Sequence, residues 1–304
     1  MRTEFTNLVF SGGGIKGVAY AGCFRYMAET GMLARVRNVI GSSVGSVFAM
    51  LCCVERDYPT ILELVDRITN AVRTRDAPEA LANILDVYDK MGITEGAGVM
   101  ACLGDFVASR FGGARAVSFL DFAKKTGRNL VVVGSNLTRR EAEYFSVDTH
   151  PDMDVLAAIR ISIAVPLLFT PVLMNECLYV DAGLYNHAPY DYFKNETRGS
   201  RTLVMHVVDR QLQIAESRNP TNVSEFFNVL VDVIHERLNR KDSAPGETGK
   251  NMLYVQIENA MCDSACFSSN FVIDDDLMRG CIDRGYATLA AAVEADAALK
   301  AAAH

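Results

Sequence analysis

The first half of the chain alternates short apolar runs with segments whose apolar residues follow helical spacing. Two apolar runs, Phe5–Phe10 and Val36–Ile40, each end next to a glycine. Helical patterns follow them at Val18–Glu29 and Val44–Val54. A strand, a glycine turn and a helix, repeated twice, are typical of a parallel sheet with right-handed crossovers. The pattern therefore predicts an α/β fold.

The rest of the chain predicts one domain over residues 1–304, with core motifs in 5–210. A helical insertion is expected near 58–126 and a C-terminal helical extension over 211–304. No change in composition requires a second domain, and a polar stretch at Arg240–Lys250 predicts a surface loop. Further strands are predicted at Leu130–Gly134, Glu143–Val147, Leu178–Val180 and Leu203–Val208, and further helices at Ile61–Val72, Phe119–Lys125, Val155–Ile163 and Val223–Leu238.

The net charge and composition of the chain argue against some classes of binding partner. A net charge of −7 argues against nucleic acid, whose binding requires Lys and Arg to neutralise phosphates. It also disfavours long-range attraction to an anionic membrane, although a local patch can still dock on lipid. The N-terminus lacks a secretory signal pattern, and no apolar run reaches the roughly 18 residues of a membrane span. We therefore expect a soluble, cytoplasmic protein.

The cysteines do not predict a disulfide framework or a metal site. Eight cysteines are spread over a long chain without a secretory signal, a context in which disulfides are rare. Cys262 and Cys266 have CxxxC spacing, but no histidine or second cysteine pair lies nearby. We expect no cofactor and no metal.

A GxSxG pattern spans Gly41 to Gly45, between a predicted strand and a predicted helix. This is the context of a nucleophile elbow, in which flanking glycines allow a sharp turn and the serine projects at a helix N-terminus. Ser43 is the candidate nucleophile. The alternative is that Ser42 or Ser43 only caps the helix.

Three successive glycines, Gly12, Gly13 and Gly14, precede Lys16 in a second strand-to-helix turn. Such a turn exposes backbone N–H groups and suits either a phosphate or the oxyanion of acyl transfer. The GxxxxGK[ST] pattern of P-loops is not met, and the acidic residue of dinucleotide-binding folds is missing after the second strand. An oxyanion hole is therefore favoured over nucleotide binding.

Asp181 ends an apolar stretch and is followed by Ala182 and Gly183. This position predicts an aspartate at a strand end, on the carboxyl edge of the sheet where ligands usually bind. The alternative is a structural aspartate in an Asx-turn. His187 follows six residues later and is interpreted as a surface or hydrogen-bonded loop histidine, and His206 as a core histidine.

Together these motifs resemble the patatin-like phospholipase family, whose pattern is G-G-G-x-[KR]-G, G-x-S-x-G and D-G-[GA]. The segment Ser162–Pro171 also resembles the family, and the likeness covers roughly residues 5–210. One departure is Ala182, where the family usually has glycine; an alanine there would cost about 1 kcal/mol if the position needed positive φ.

The resemblance implies a three-layer αβα fold with a mainly parallel central sheet and a Ser43–Asp181 dyad without a histidine. It further implies an oxyanion hole from Gly12, Gly13 and Gly14, with Lys16 either adding charge or lying on a helix surface. Phospholipids or other acyl lipids at a peripheral membrane surface are the implied substrates. Two alternatives remain: a non-catalytic lipid-binding protein on the same fold, and a nucleotide-binding α/β protein.

Overall fold

A computed structural model describes residues 5–75, 90–193, 200–209, 251–259 and 275–302. Its centre is an eight-stranded sheet. The strands are β1 (Asn7–Phe10), β2 (Asn38–Ser42), β4 (Asn129–Asn136), β5 (Glu141–Phe145), β7 (Val172–Met174), β8 (Cys177–Val180), β9 (Thr202–Asp209) and β10 (Met252–Asn259); β3 (Gly92–Thr94) and β6 (Leu167–Phe169) form a separate pair.

The sheet has the order β10-β9-β1-β2-β4-β8-β7, with β5 also paired to β4. The first five strands of this order are parallel to one another, whereas β5, β8 and β7 pair in antiparallel fashion. The parallel half therefore carries its carboxyl ends on one edge. The α/β class and the mainly parallel centre predicted from the sequence are confirmed, with an antiparallel border.

The described helices belong to one apolar layer on a single face of the sheet. They are α1 (Ala19–Glu29), α2 (Val44–Val54), α3 (Tyr58–Arg75), α4 (Ala97–Arg110), α5 (Phe119–Thr126), α6 (Val155–Ser162) and α7 (Asp275–Ala302). Each contributes side chains to one large apolar cluster that also contains Leu8 and Phe10 of β1. Val9, between them, points to the other face, as the two-residue period of a strand requires.

The second face is covered, within the described residues, by the segment that follows β8. Ala182 and Phe193 pack there on Val9, Ile40 and Val204 of the central strands. This segment passes beside the carboxyl ends of β1 and β2, so it forms part of the surroundings of both glycine-containing turns.

The strands and helices predicted within residues 5–209 are confirmed within one to three residues, whereas strands β3, β6 and β7 were not predicted. In the described part of 58–126, helices α3, α4 and α5 are interrupted by strand β3. The predictions for Val223–Leu238, Arg240–Lys250, Cys262 and Cys266 fall outside the described residues.

The prediction of a purely helical C-terminal extension is wrong at Met252–Asn259. This stretch is strand β10, which pairs with β9 over eight residues from Met252↔Thr202 to Asn259↔Asp209. Helix α7 then packs closely along α1: a Cβ added to Gly22 would lie 1.8 Å from the carbonyl oxygen of Ile282. These C-terminal elements therefore complete the sheet and its helical layer.

Candidate active site

Ser43 occupies the sharp turn between β2 and α2. Its backbone has φ 52° and ψ −131°, a conformation that costs a non-glycine residue on the order of 1–3 kcal/mol. The glycines on either side permit the turn, because a Cβ on Gly41 would lie 2.2 Å from the carbonyl oxygen of Gly45. A Cβ on Gly45 would lie 2.4 Å from that of Ser11. These contacts explain the glycine spacing of the motif.

Three hydrogen bonds that involve side chains hold this strained backbone. The Ser43 N–H donates to Ser162 Oγ at 2.9 Å, and the Ser43 carbonyl accepts from Ser46 Oγ at 2.6 Å. The Ser42 hydroxyl donates to the carbonyl of Asn186 at 2.8 Å. Sequence reasoning did not assign Ser162 a role; its only signal was its place in the segment similar to the family. The Ser43 side chain makes no cap bond to α2, so the capping alternative is not supported.

The Ser43 hydroxyl donates to Asp181 Oδ2 at 2.6 Å, and both side chains are buried. The other carboxylate oxygen, Oδ1, accepts the Gly183 N–H at 2.7 Å, while the Asp181 N–H donates to the carbonyl of Ala164 at 2.8 Å. Asp181 therefore makes the Asx-type turn of the structural alternative and also faces the serine. The carboxylate is fixed on one side and directed at the hydroxyl on the other.

Asp181 reaches Ser43 from an antiparallel strand, which differs from the expected geometry. Strand β8 runs opposite to β4 and pairs with it only through Ser135↔Val180 and Asn136↔Tyr179. Because β8 enters at the carboxyl end of β4, its own last residue is still close to that edge. The predicted location of Asp181 is therefore correct, although the strand direction behind it is the opposite of the one assumed.

Ala182 does not have positive φ. It begins a short 3-10 turn, Ala182–Leu184, and is fully buried against the second face of the sheet. The cost considered for an alanine at this position therefore does not arise.

The glycine loop lies against the nucleophile, since a Cβ built on Gly12 would be 3.4 Å from Ser43 Cβ. The Gly12 N–H already donates to the carbonyl of His187 at 2.9 Å. The N–H groups of Gly13 and Gly14 donate to no other described residue. Gly14 has φ 52°, which suits glycine. Gly13 and Gly14 can therefore serve as donors to a ligand, whereas Gly12 anchors the loop.

Lys16 belongs to the 3-10 turn Gly14–Val18 that follows the loop, and its N–H donates to the Gly13 carbonyl at 3.1 Å. The turn packs on the residue after the nucleophile, because a Cβ on Gly17 would lie 2.4 Å from Val44 Cγ1. The loop and the elbow are thus in direct contact, as two turns on neighbouring parallel strands should be.

His187 and His206 lie near the glycine loop but not between Ser43 and Asp181. His187 is only 3% exposed, and its ring occupies the space beside Gly12, so the surface alternative considered for it is wrong. Its ring lies 5.7 Å from that of His206, whose Nδ1 is hydrogen-bonded to the Tyr254 hydroxyl. Burial lowers the pKa of His206 to about 4. The Ser43–Asp181 hydrogen bond is direct and has no imidazole between its partners.

A family model described as patatin-like phospholipase matches residues 8–194, more than half of the chain. The chain belongs to the patatin-like phospholipase family. The matched residues include the glycine loop, the elbow and Asp181.

Individual relatives of this patatin-like chain are distant. A protein of Invertebrate iridescent virus 6 named "Probable lipid hydrolase 463L" is 26% identical over 190 residues, which are 62% of each chain. The uncharacterised protein YqhO of Bacillus subtilis (strain 168) is 22% identical over 83% of this chain and 88% of its own length. The chain thus spans about three fifths of the viral relative and most of the bacterial one.

Solved structures agree on the fold. VipD from Legionella pneumophila superposes with a TM-score of 0.57 at 18% identity, over 96% of this chain and 67% of VipD. At such low identity the likeness establishes the patatin-like fold and no finer property. In the described part of the chain, no helix has both the length and the apolar character that crossing a membrane requires.

Proposed function

We propose that this protein is a lipid acyl hydrolase of the phospholipase A type, with Ser43 as nucleophile and Asp181 as its base. The observation that carries the proposal is the 2.6 Å hydrogen bond from Ser43 Oγ to Asp181 Oδ2 at a strained elbow. A carboxylate is intrinsically a weak base, so it has to contact the hydroxyl directly to remove its proton. This geometry meets that requirement.

In the proposed reaction, Asp181 takes the Ser43 proton as Oγ attacks the carbonyl carbon of a fatty-acyl ester. The tetrahedral intermediate collapses, the alcohol leaves with the proton returned from Asp181, and the acyl group stays on Ser43. Water then attacks the acyl-enzyme as Asp181 accepts its proton. The second tetrahedral intermediate releases the fatty acid, and Asp181 returns the proton to Ser43 Oγ as the acyl–oxygen bond breaks. The Gly183 N–H bond to Oδ1 keeps the carboxylate oriented through both halves of the reaction.

The negative charge of the tetrahedral intermediate needs donors, and the Gly13 and Gly14 N–H groups are the candidates. The N-terminal end of α2, which begins at Val44, adds a favourable dipole beside Ser43. Preorganised N–H groups of this kind supply the charge stabilisation that a metal ion gives in other hydrolases, so the proposal includes no metal or other cofactor. Lys16, in the 3-10 turn that follows the glycine loop, is proposed to add positive charge near it.

The substrate class follows from the family and from the lipid-hydrolase name of the viral relative. Phospholipids or other acyl lipids, met at a peripheral membrane surface, are the proposed substrates. The competing proposal of a nucleotide-binding protein is disfavoured because the glycine loop abuts a serine–aspartate pair. A lipid-binding protein without turnover has the same fold and must be separated by experiment.

The test is fluorophosphonate labelling with peptide mapping, combined with turnover of a soluble p-nitrophenyl ester. We expect the probe to label Ser43 in the wild-type protein and a folded Ser43→Ala variant to lose both labelling and turnover. Labelling without turnover would favour the lipid-binding alternative. Full turnover in a folded Ser43→Ala variant would exclude the proposed nucleophile.

A further inference from the structure

Ser11 and Tyr20 form a fully buried pair of hydroxyls beneath the glycine loop. The two oxygens are 2.9 Å apart. The Ser11 hydroxyl also lies 2.7 Å from the carbonyl of Gly12, and it accepts the Val207 N–H at 3.2 Å. The hydroxyl of Tyr20 is within 3.0 Å of the Ser11 carbonyl and 3.2 Å of the Met205 carbonyl. The proposed reaction gives these two hydroxyls no chemical role.

Counting protons determines the direction of these bonds. Ser11 has one hydroxyl proton, and Val207 N–H can only donate to its oxygen. Tyr20 is surrounded by carbonyls, and burial raises the pKa of its phenol, which therefore keeps its proton as a donor. The Gly12 carbonyl cannot donate, so its 2.7 Å contact with Ser11 Oγ uses the Ser11 proton. With that proton engaged, the 2.9 Å contact between the two hydroxyls uses the Tyr20 proton, which the carbonyls of Ser11 and Met205 also share.

Fixing the Gly12 carbonyl also fixes the Gly13 N–H. The two groups belong to one planar trans peptide unit and point in opposite directions. When the Gly12 carbonyl points towards Ser11, the Gly13 N–H therefore points away from the buried pair, towards the opposite side of the loop. Glycine allows many backbone conformations at this peptide, so a hydrogen bond from another residue has to fix its orientation.

We propose that Ser11 and Tyr20 are positioning residues that orient the Gly13 N–H towards the oxyanion. Ser11 holds the peptide directly, and Tyr20 acts through Ser11. The Gly12 N–H bond to His187 anchors the preceding peptide from the other side. This inference rests on the proposed function, because an oriented donor affects rate only where an oxyanion forms.

The clearest variant is Tyr20→Phe, which removes one oxygen and keeps the ring that packs on Phe10 and Phe48. Complete loss of an oxyanion donor typically costs about 10²–10³ in rate, so a misoriented donor should lower kcat about 10- to 100-fold. KM should stay within about twofold, because the donor acts mainly on the transition state. Ser11→Ala should lower kcat at least as much.

Matched controls separate positioning from general destabilisation. Tyr26→Phe removes a hydroxyl from another buried tyrosine of the same helix, α1, and Ser146→Ala does so at a fully buried serine after β5. Both should leave kcat unchanged. The amide chemical shift of Gly13 gives a second readout that needs no turnover: it should change in Tyr20→Phe and Ser11→Ala and stay unchanged in Tyr26→Phe.

Unchanged kcat in a folded Tyr20→Phe protein, or a loss confined to KM, would overturn the proposal. A wild-type protein that neither hydrolyses esters nor reacts with the fluorophosphonate would instead refute the proposed function. In that case the Gly13 amide chemical shift still decides the positioning role, and an unaltered shift in Tyr20→Phe would disprove it.

Discussion

At the scale of single residues, the site depends on one carboxylate with two separate tasks. Asp181 Oδ1 is held by the Gly183 N–H, and Oδ2 receives the Ser43 hydroxyl. The division resembles the work of an aspartate and a histidine in a triad, where one group orients and the other takes the proton. In the proposed mechanism both tasks fall on Asp181, so its replacement by the amide would remove the base.

Asp181→Asn should therefore lower ester turnover by orders of magnitude while the fold persists. The amide keeps an oxygen for the Gly183 N–H but cannot accept the serine proton. Turnover of a p-nitrophenyl ester and circular dichroism are the measurements, with single His→Gln variants at 150, 187, 206 and 235 as comparison. His187→Gln deserves the first test, because its ring lies beside Gly12. If it were as inactive as Asp181→Asn and still folded, the base would be misassigned.

His206 should make the fold sensitive to mild acid. Its pKa is lowered to about 4 by burial, against an ordinary value near 6.5, so the unfolded chain binds its proton more readily. Its contribution to stability is complete above about pH 6.5 and is lost as pH falls towards 4. The shift corresponds to about 3 kcal/mol. Urea unfolding across this range should show a shallower acid-side loss for His206→Gln than for wild type; parallel curves would contradict the assignment.

At the scale of elements, the elbow depends on close contacts between backbone segments. Strand β2, helix α2 and the end of β1 approach so closely that side chains are excluded at Gly41 and Gly45. The sequence predicts the strand, the turn and the helix, because each has a local pattern. It does not predict that Ser162, at the end of α6, supplies the acceptor for the Ser43 N–H, since that bond joins residues 119 positions apart.

Gly45→Ala should disrupt this element. The added Cβ would lie 2.4 Å and 2.6 Å from the carbonyl oxygens of Ser11 and Phe10, so β1 and α2 would have to separate. We expect a loss of a few kcal/mol in unfolding free energy and loss of ester turnover. Gly104→Ala in α4 is the control: its Cβ would meet only the Arg115 side chain, at 3.5 Å, and helix propensity favours it. Equal stability in the two variants would argue against the packing described for the elbow.

At the scale of the whole molecule, local patterns determined most of what the sequence could predict. The glycine loop, the elbow and Asp181 are each contained in a few consecutive residues, and the alternation of strands and helices places them on one edge. The direction of β8, the burial of His187 and the contacts of the Ser11–Tyr20 pair with β9 depend on residues far apart in the sequence. No pattern within a window of the sequence contains that information. Strand β10 was missed for another reason: Met252–Asn259 has an apolar strand pattern of its own, but it was included in the expected helical extension.

The C-terminal elements should be needed for stability, and the packing of α7 on α1 provides the means to test this. A Cβ on Gly285 would lie 2.0 Å from the carbonyl oxygen of Ala19, at the start of α1, directly after the glycine loop. Gly285→Ala should therefore force the two helices apart and cost a few kcal/mol in unfolding free energy. Gly280→Ala, five residues earlier on the same helix, meets nothing within 4 Å and should gain about 0.5–1 kcal/mol from helix propensity. Thermal or urea unfolding of the two variants gives the comparison.

Because α1 begins where the loop's 3-10 turn ends, Gly285→Ala should also lower ester turnover. Two variants of equal stability would show that α7 is not closely packed on α1. The C-terminal elements would then not be needed for the stability of the domain.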